Sequence, residues 1–118
     1  MKILILGANG MLGHVIFNYF TIKTKWKIIG TVRSQNKLNT NFHRNIHILN
    51  LSNKNNILRL IKIESPDVII NCIGVVKQNN MLNNVNSTIY TNLLFVHELY
   101  DICKIYNIRL IHFSTDCV

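Results

Sequence analysis

The beginning of the chain most constrains its fold, because an apolar segment runs directly into a cluster of glycines. Residues 2–6 read Lys-Ile-Leu-Ile-Leu, and residues 7–13 read Gly-Ala-Asn-Gly-Met-Leu-Gly. A short, almost continuous apolar run is typical of a strand that is buried on both faces of a parallel sheet. From Met11 to Phe20, apolar side chains recur near helical spacing. The segment therefore predicts a strand, a tight turn and a helix in immediate succession.

Each of the three glycines in the predicted turn has its own physical reason. Gly7 lets the chain turn sharply out of the strand. Gly10 has no Cβ, so the backbone can approach a phosphate group closely, and Gly13 lets the helix pack close to the sheet. The amino end of the helix presents free N–H groups and a positive dipole end to an anion. This combination predicts a turn that binds the pyrophosphate of a dinucleotide, and the alternative is a structural glycine turn without a ligand.

The rest of the sequence alternates predicted strands and helices. Further strands are predicted at 27–32, 46–49, 68–72 and 109–113. Between them we expect a helix that Ser52 or Asn53 caps and that ends near Glu64, and a long helix over about 87–106 with Asn107 as its C-cap. Such alternation predicts an α/β, Rossmann-like, doubly wound parallel sheet of five strands in the order 3-2-1-4-5. Its ligand cleft should lie at the carboxyl ends of the first and fourth strands.

Helical spacing also predicts which side chains face the sheet. For the first helix these are Met11, Leu12, Val15, Ile16, Tyr19 and Phe20; for the second they are Ile57, Leu60 and Ile61; for the long helix they are Ile89, Leu93, Val96, Tyr100 and Cys103.

Composition excludes several classes of protein. The chain has 118 residues, of which 48% are hydrophobic and 15% charged, and this favours one folded domain over residues 1–118 rather than a disordered chain. No apolar run approaches the roughly 20 residues that span a bilayer, and the apolar run before Gly7 is too short for a signal peptide. Cys72, Cys103 and Cys117 are an odd number without metal-ligand spacing, so we expect reduced thiols and a cytoplasmic protein. The first two should lie in the core and Cys117 near the site.

The net charge of +8 has three interpretations. A nucleic-acid surface is one, but no known nucleic-acid motif accompanies it. A basic cleft for anionic ligands such as NADP and a nucleotide sugar is the second. Ordinary solvated lysines, densest at Lys23, Lys25 and Lys27, are the third and the simplest. We therefore expect no nucleic-acid or membrane partner. No metal site is expected either, because His43 and His47 straddle a predicted loop and strand.

Four segments together resemble a known family. They are residues 7–13; residues 66–72, Pro-Asp-Val-Ile-Ile-Asn-Cys; Asn92; and residues 113–118, Phe-Ser-Thr-Asp-Cys-Val. In this order they resemble the N-terminal part of extended short-chain dehydrogenase/reductases, and within these the dTDP-4-dehydrorhamnose reductase-like enzymes of nucleotide-sugar metabolism. A Ser-Thr-Asp-x-Val segment after the fifth strand is reductase-like, whereas sugar epimerases more often have a run of serines there.

The resemblance implies roles for individual residues. Thr115 matches the catalytic hydroxyl that hydrogen-bonds the substrate carbonyl. Arg33 lies where the family selects its cofactor: a carboxylate there suits the ribose of NAD, whereas an arginine suits the 2′-phosphate of NADP. The remaining cofactor-binding positions implied are Gly7, Gly10, Met11 and Leu12 at the pyrophosphate, Asn50 and Leu51 at the adenine, and Ile73 and Gly74 near the ribose on the nicotinamide side. Asn9, Cys72 and Asn92 are implied as cofactor-binding residues as well.

Two segments depart from the family pattern. The family usually has Asp at position 50, and residues 71–74, Asn-Cys-Ile-Gly, replace the commoner Asn-Ala-Ala. The catalytic Tyr-x-x-x-Lys pair and the substrate-binding domain of the family lie beyond the Ser-Thr segment. We therefore expect residues 1–118 to be the cofactor-binding part, truncated after the fifth strand and inactive alone.

The resemblance implies an NADP-preferring reductase, with NAD as the other cofactor, that acts on a nucleotide-linked 4-keto-6-deoxy sugar during synthesis of surface-polysaccharide precursors. The small-molecule partner is then a nucleotide sugar, and a homodimer is a further expectation. The alternatives are a nucleotide-sugar epimerase or dehydratase of the same family, and a non-catalytic dinucleotide-binding module.

Overall fold

A computed structural model describes residues 1–33, 45–51, 53–73 and 94–113 of the chain. The elements in chain order are β1 (Lys2–Leu6), α1 (Met11–Lys23), β2 (Lys27–Val32), β3 (Ile46–Ile48), α2 (Lys54–Glu64), β4 (Val68–Asn71), α3 (Phe95–Ile105) and β5 (Arg109–His112). Every predicted strand is present, with ends within one residue of those expected. Of the predicted long helix, residues 87–93 lie outside the described part of the chain.

The five strands form one parallel sheet in the order β3-β2-β1-β4-β5, which confirms the predicted topology. β1 lies at the centre, where Leu4 pairs with Ile29 of β2 on one side and with Ile69 of β4 on the other. The chain leaves β1 towards β2 and later returns to β4 on its opposite side. The switch point of the strand order is therefore the crevice between the carboxyl ends of β1 and β4.

Helices cover both faces of the sheet, and alternate residues of β1 serve the two layers. On one face, Leu4 and Leu6 pack into a core with buried side chains of α2 and α3. On the other face, Ile3 and Ile5 pack with Phe17 of α1. The expected inward positions of α2 are confirmed, since its buried residues are Ile57, Leu60 and Ile61.

The predicted inward face of α1 is wrong. Its buried residues are Gly13 and Phe17, whereas the exposed side chains include Met11 (94%), Leu12 (43%), Val15 (59%) and Tyr19 (58%). Only Ile16 and Phe20 of the expected set pack against the core. The helix is apolar on almost every side, so periodicity alone could not choose a face. The buried face is the one that packs closely on Gly30 of β2, where a Cβ would lie 2.7 Å from Cβ of Ala8 and 3.0 Å from the Phe17 ring.

Of the described residues in the predicted stripe of α3, only Cys103 is buried, and Val96 is partly exposed. Tyr100 is 55% exposed, and the buried residues are Phe95, Leu99, Ile102 and Cys103. Ile89 and Leu93 lie outside the described residues. The buried set forms a purely apolar stripe at positions i, i+4, i+7 and i+8, so the tyrosine hydroxyl can stay in water.

The capping of α2 is as predicted, whereas the C-cap of α3 is Tyr106, one residue before the predicted Asn107. The Asn53 side chain accepts a hydrogen bond from the Asn55 amide at 3.0 Å and so caps α2. Asn107, just beyond α3, takes the left-handed conformation with φ of 58°, which asparagine tolerates better than most residues. Among the described residues, no helix has the length and apolar character needed to cross a membrane.

Candidate cofactor-binding site

The glycine turn between β1 and α1 is tied to the neighbouring strand β2. Gly7 has φ of +79°, a conformation in which any other side chain is strained. The Ala8 amide donates to the carbonyl oxygen of Thr31 at 2.8 Å, and the Gly7 amide to its hydroxyl at 3.4 Å. Thr31 is buried, and sequence reasoning missed it because nothing in a strand sequence marks which residue will hold a distant turn. The turn is thus held by one hydrogen bond to the backbone of Thr31 and one to its side chain.

The amino end of α1 is suited to an anion. Gly10 precedes the helix in an extended conformation, none of the side chains that the structure describes caps the end, and the first turn contains no acidic residue. The His14 amide donates to the Gly10 carbonyl at 2.8 Å, so the helical hydrogen bonds begin there. The N–H groups of residues 11–13 precede that bond and have no acceptor within the helix. Together with the helix dipole they favour a negatively charged group at this point.

Gly13 and Gly10 differ in what surrounds them. A Cβ on Gly13 would lie 2.0 Å from the Gly7 carbonyl oxygen, so Gly13 packs against the turn rather than against the sheet as predicted. A Cβ on Gly10 would meet nothing closer than the same oxygen at 3.4 Å, an ordinary contact. Packing among the described residues therefore requires glycine at position 13 but not at position 10. Among the described residues, nothing beside Gly10 hinders the close approach of a ligand phosphate.

The exit of β4 lies against the glycine turn. The Cys72 amide donates to the Leu6 carbonyl at 3.0 Å, and a Cβ on Gly7 would lie 3.1 Å from Cγ1 of Ile73. The structure thus brings Gly7, Cys72 and Ile73 together at the switch point of the sheet. Burial raises the pKa of the Cys72 thiol to about 11, which keeps it protonated near neutral pH and unsuited to nucleophilic attack.

Arg33 lies directly after β2, at the same edge of the sheet. Its side chain is exposed, and within the described ranges it has no hydrogen bond or ion pair. The Leu49 amide donates to the Val32 carbonyl at 2.9 Å, which holds the segment after β3 beside the end of β2. Asn50 is exposed there, whereas Leu51 is 9% exposed and packs into the core under α2. The adenine contact of these two residues stays a prediction.

Asn71 and His112 form a polar contact that sequence reasoning did not anticipate. Asn71 is 1% exposed, and its Nδ2 lies 3.1 Å from Nδ1 of His112. Its Oδ1 accepts a hydrogen bond from the Ile73 amide at 3.1 Å. The available signal was an amide at the end of an otherwise apolar strand, which needs partners when it is buried.

Several predicted site residues lie outside the described part of the chain, namely Gly74, Asn92 and Thr115, together with Cys117 and His43. Their roles stay predictions. Asn9 is partly buried in the turn, and Met11 and Leu12 are exposed at the start of α1. His47 contacts Glu64 instead of a metal ligand set, with 2.7 Å between Nε2 and Oε2, and no cluster of metal-binding side chains occurs in the described ranges.

Comparison with known proteins decides the family. The family model for NAD-dependent epimerases and dehydratases matches residues 3–118. The chain belongs to the NAD-dependent epimerase/dehydratase family. The proteins with similar solved structures include epimerases, a dehydratase and a hypothetical reductase. A search of the curated proteins found no match.

Solved structures agree on the fold. A Helicobacter pylori ADP-L-glycero-D-manno-heptose-6-epimerase is 21% identical, with a TM-score of 0.80 over 98% of this chain and 39% of that one. A hypothetical dTDP-4-dehydrorhamnose reductase from Sulfolobus tokodaii is 23% identical, with a TM-score of 0.76 over 98% and 40%. A Bacillus anthracis dTDP-glucose 4,6-dehydratase, solved in complex with NAD, is 24% identical, with a TM-score of 0.74 over 98% and 38%. The chain thus spans about two fifths of the length of these proteins.

Proposed function

We propose that the chain is the cofactor-binding part of an NADP-preferring reductase that acts on a nucleotide-linked 4-keto-6-deoxy sugar. The observation that carries the proposal is the packing of the glycine turn. Gly13 closes against Gly7, while Gly10 leaves room at the uncapped amino end of α1. This is the arrangement that a pyrophosphate requires.

In this proposal, different residues of the cleft bind different parts of the cofactor. Gly7, Asn9, Gly10 and the amides of Met11 and Leu12 would hold the pyrophosphate. Arg33, exposed and without an ion-pair partner in the described part of the chain, would hold the 2′-phosphate that distinguishes NADP from NAD. The bound nicotinamide would supply the hydride, and the protein would position it and exclude water.

Further residues extend the same assignment. Asn50 and Leu51 follow β3 at the adenine end, and Cys72, Ile73, Gly74 and Asn92 belong to the nicotinamide end. Thr115 would donate its hydroxyl hydrogen bond to the keto oxygen of the sugar.

The reductase subtype rests on the Ser-Thr-Asp-x-Val segment at residues 114–118, which resembles that of dTDP-4-dehydrorhamnose reductases. The structural likeness to the Sulfolobus protein is compatible with it. Epimerases and dehydratases share the same cofactor half, so these activities are the alternative. The proposal includes a nucleotide sugar as substrate, a cytoplasmic location, a role in making surface-polysaccharide precursors, and a homodimer.

The test is a titration of the chain with NADP⁺ and with NAD⁺. A charge-assisted contact with the 2′-phosphate contributes about 1.5–3 kcal/mol, so Arg33→Ala should lower the affinity for NADP⁺ by roughly 10- to 100-fold. The affinity for NAD⁺ should change little. Arg59→Ala, which removes an exposed arginine on α2, is the matched control. Equal affinities for the two cofactors in the native chain and in Arg33→Ala would refute the NADP preference, and failure to bind either cofactor would refute the function.

A further inference from the structure

The exits of β4 and β5 are joined by one buried polar contact. Asn71 and His112 are the last residues of their strands and lie directly opposite each other in the parallel register. Asn71 is 1% exposed and sits beside an apolar core, where an amide without partners is costly. Its Nδ2 is 3.1 Å from His112 Nδ1, and its Oδ1 is 3.1 Å from the Ile73 amide nitrogen.

The hydrogen-bond network fixes which atoms donate. The Ile73 N–H can only donate, so the acceptor facing it is the Asn71 carbonyl oxygen. The Asn71 NH₂ group therefore faces His112, and Nδ1 of the imidazole must accept. The proton of the neutral ring then sits on Nε2, an assignment that follows from the network rather than from observed hydrogens.

This contact reaches the glycine turn through one residue. The side chain of Asn71 accepts a hydrogen bond from the backbone N–H of Ile73. The side chain of Ile73 in turn packs against Gly7, since a Cβ built on Gly7 would lie 3.1 Å from Cγ1 of Ile73. Towards β5, the Phe113 amide donates a hydrogen bond to the backbone carbonyl oxygen of Asn71 at 3.4 Å. Asn71 thus links the chain after β5 to the wall of the crevice between β1 and β4.

We propose that Asn71 and His112 are a positioning pair for the cofactor cleft. His112 Nδ1 locks the Asn71 amide in one orientation, and the locked carbonyl holds the Ile73 backbone against the glycine turn. The pair touches neither substrate nor cofactor in this role; it sets the geometry of the crevice at the nicotinamide end. The cofactor part of this inference rests on the proposed function.

The test compares two variants of His112 with a remote control. His112→Leu removes the acceptor, whereas His112→Asn keeps an acceptor oxygen near the position of Nδ1. Ile61→Val weakens the core under α2 without touching the pair. The readouts are hydrogen exchange at the Ile73 amide, relative to the Leu4 amide of β1, and the dissociation constants for NADP⁺ and NAD⁺.

We expect His112→Leu to speed relative exchange at Ile73 at least tenfold and to weaken cofactor binding about 3- to 10-fold. His112→Asn should stay within threefold of the native chain in both readouts, and Ile61→Val should leave both unchanged. Unchanged relative exchange in His112→Leu overturns the proposal, as does equal loss in His112→Asn, which would show that the ring only fills space. Faster exchange with unchanged cofactor affinity overturns the link to the cleft.

Two further results keep the outcomes separate. If the native chain binds neither cofactor, the proposed function is refuted, and the exchange ratio alone decides whether the pair positions Ile73. If His112→Leu does not fold, the ¹⁵N chemical shifts of the native His112 ring decide. A protonated Nε2 with an unprotonated Nδ1 supports the pair, and a protonated Nδ1 overturns it.

Discussion

Substituting alanine at Gly10 or at Gly13 should separate ligand binding from folding within a single turn. The two glycines lie three residues apart, and both approach the carbonyl oxygen of Gly7. A new Cβ would lie 3.4 Å from that oxygen at position 10 but 2.0 Å at position 13. The same chemical change therefore meets ordinary contact at one site and a severe overlap with backbone at the other.

The magnitudes follow from these distances. At Gly13 the backbone must move by more than 1 Å to reach an ordinary contact, and overpacking of this kind costs about 3 kcal/mol. Alanine favours the helix over glycine by about 1 kcal/mol, so Gly13→Ala should lose about 2 kcal/mol of unfolding free energy. For a chain of this size, that loss lowers the Tm by roughly 6–12 °C. Gly10 has a φ of −74°, which alanine adopts without strain, and a Cβ there overlaps none of the described residues. The unfolding free energy of Gly10→Ala should therefore stay within about 0.5 kcal/mol of that of the native chain.

For cofactor binding we expect Gly10→Ala to be affected although its stability is not. A methyl group at position 10 fills the space beside the free amides of α1, so Gly10→Ala should lose at least tenfold in affinity for NADP⁺ while its unfolding curve is unchanged. Urea denaturation followed by circular dichroism gives the stability, and calorimetric titration gives the affinity. Native affinity in Gly10→Ala would refute the placement of the pyrophosphate, and native stability in Gly13→Ala would refute the packing argument.

Three other outcomes are expected. Gly30→Ala should destabilise the chain by about 1–3 kcal/mol in urea, because the new Cβ would lie 2.7 Å from Cβ of Ala8 and 3.0 Å from the Phe17 ring; an unchanged midpoint would count against the close packing of the glycine turn and α1 on β2. The pKa of Glu64 is lowered from 4.5 because the hydrogen bond and charge of His47, with nearby lysines, outweigh the burial that raises it. Its contribution to stability should thus be present above about pH 4.5 and lost as the pH falls through the lower folded pKa, so Glu64→Gln should show a flatter acid limb in urea titrations from pH 6 to 3. Burial raises the pKa of the Cys72 thiol to about 11, so peptide-level mass spectrometry should find it alkylated much more slowly at pH 8 in the native chain than in urea; equal rates would contradict its burial.

The sequence was informative where one physical rule decided the outcome. The apolar run before Gly7 allowed only a buried strand, and the alternation of elements allowed few topologies, so the strand order could be predicted. The sequence was uninformative where a contact depends on how two distant parts of the chain pack together. α1 is apolar on nearly every side, and its buried face depends on the surface that β2 offers, where Gly30 leaves room for Ala8 and Phe17. The partners of Asn71 likewise depend on strand register.

The position of β1 at the centre of the sheet also sets the order in which the cleft can be built. β1 finds β2 soon after synthesis, but its other neighbour comes much later: Lys2 and Asp67, which meet at the start of β4, are 65 residues apart. At roughly 5–20 residues per second, a ribosome needs about 3–13 s to make that interval. In the later part of this time, after β2 has paired with β1 and before β4 is made, the glycine turn has β2 as its only neighbouring strand. The nascent chain therefore gains its nucleotide crevice in a single late step, when β4 docks and Ile73 reaches Gly7.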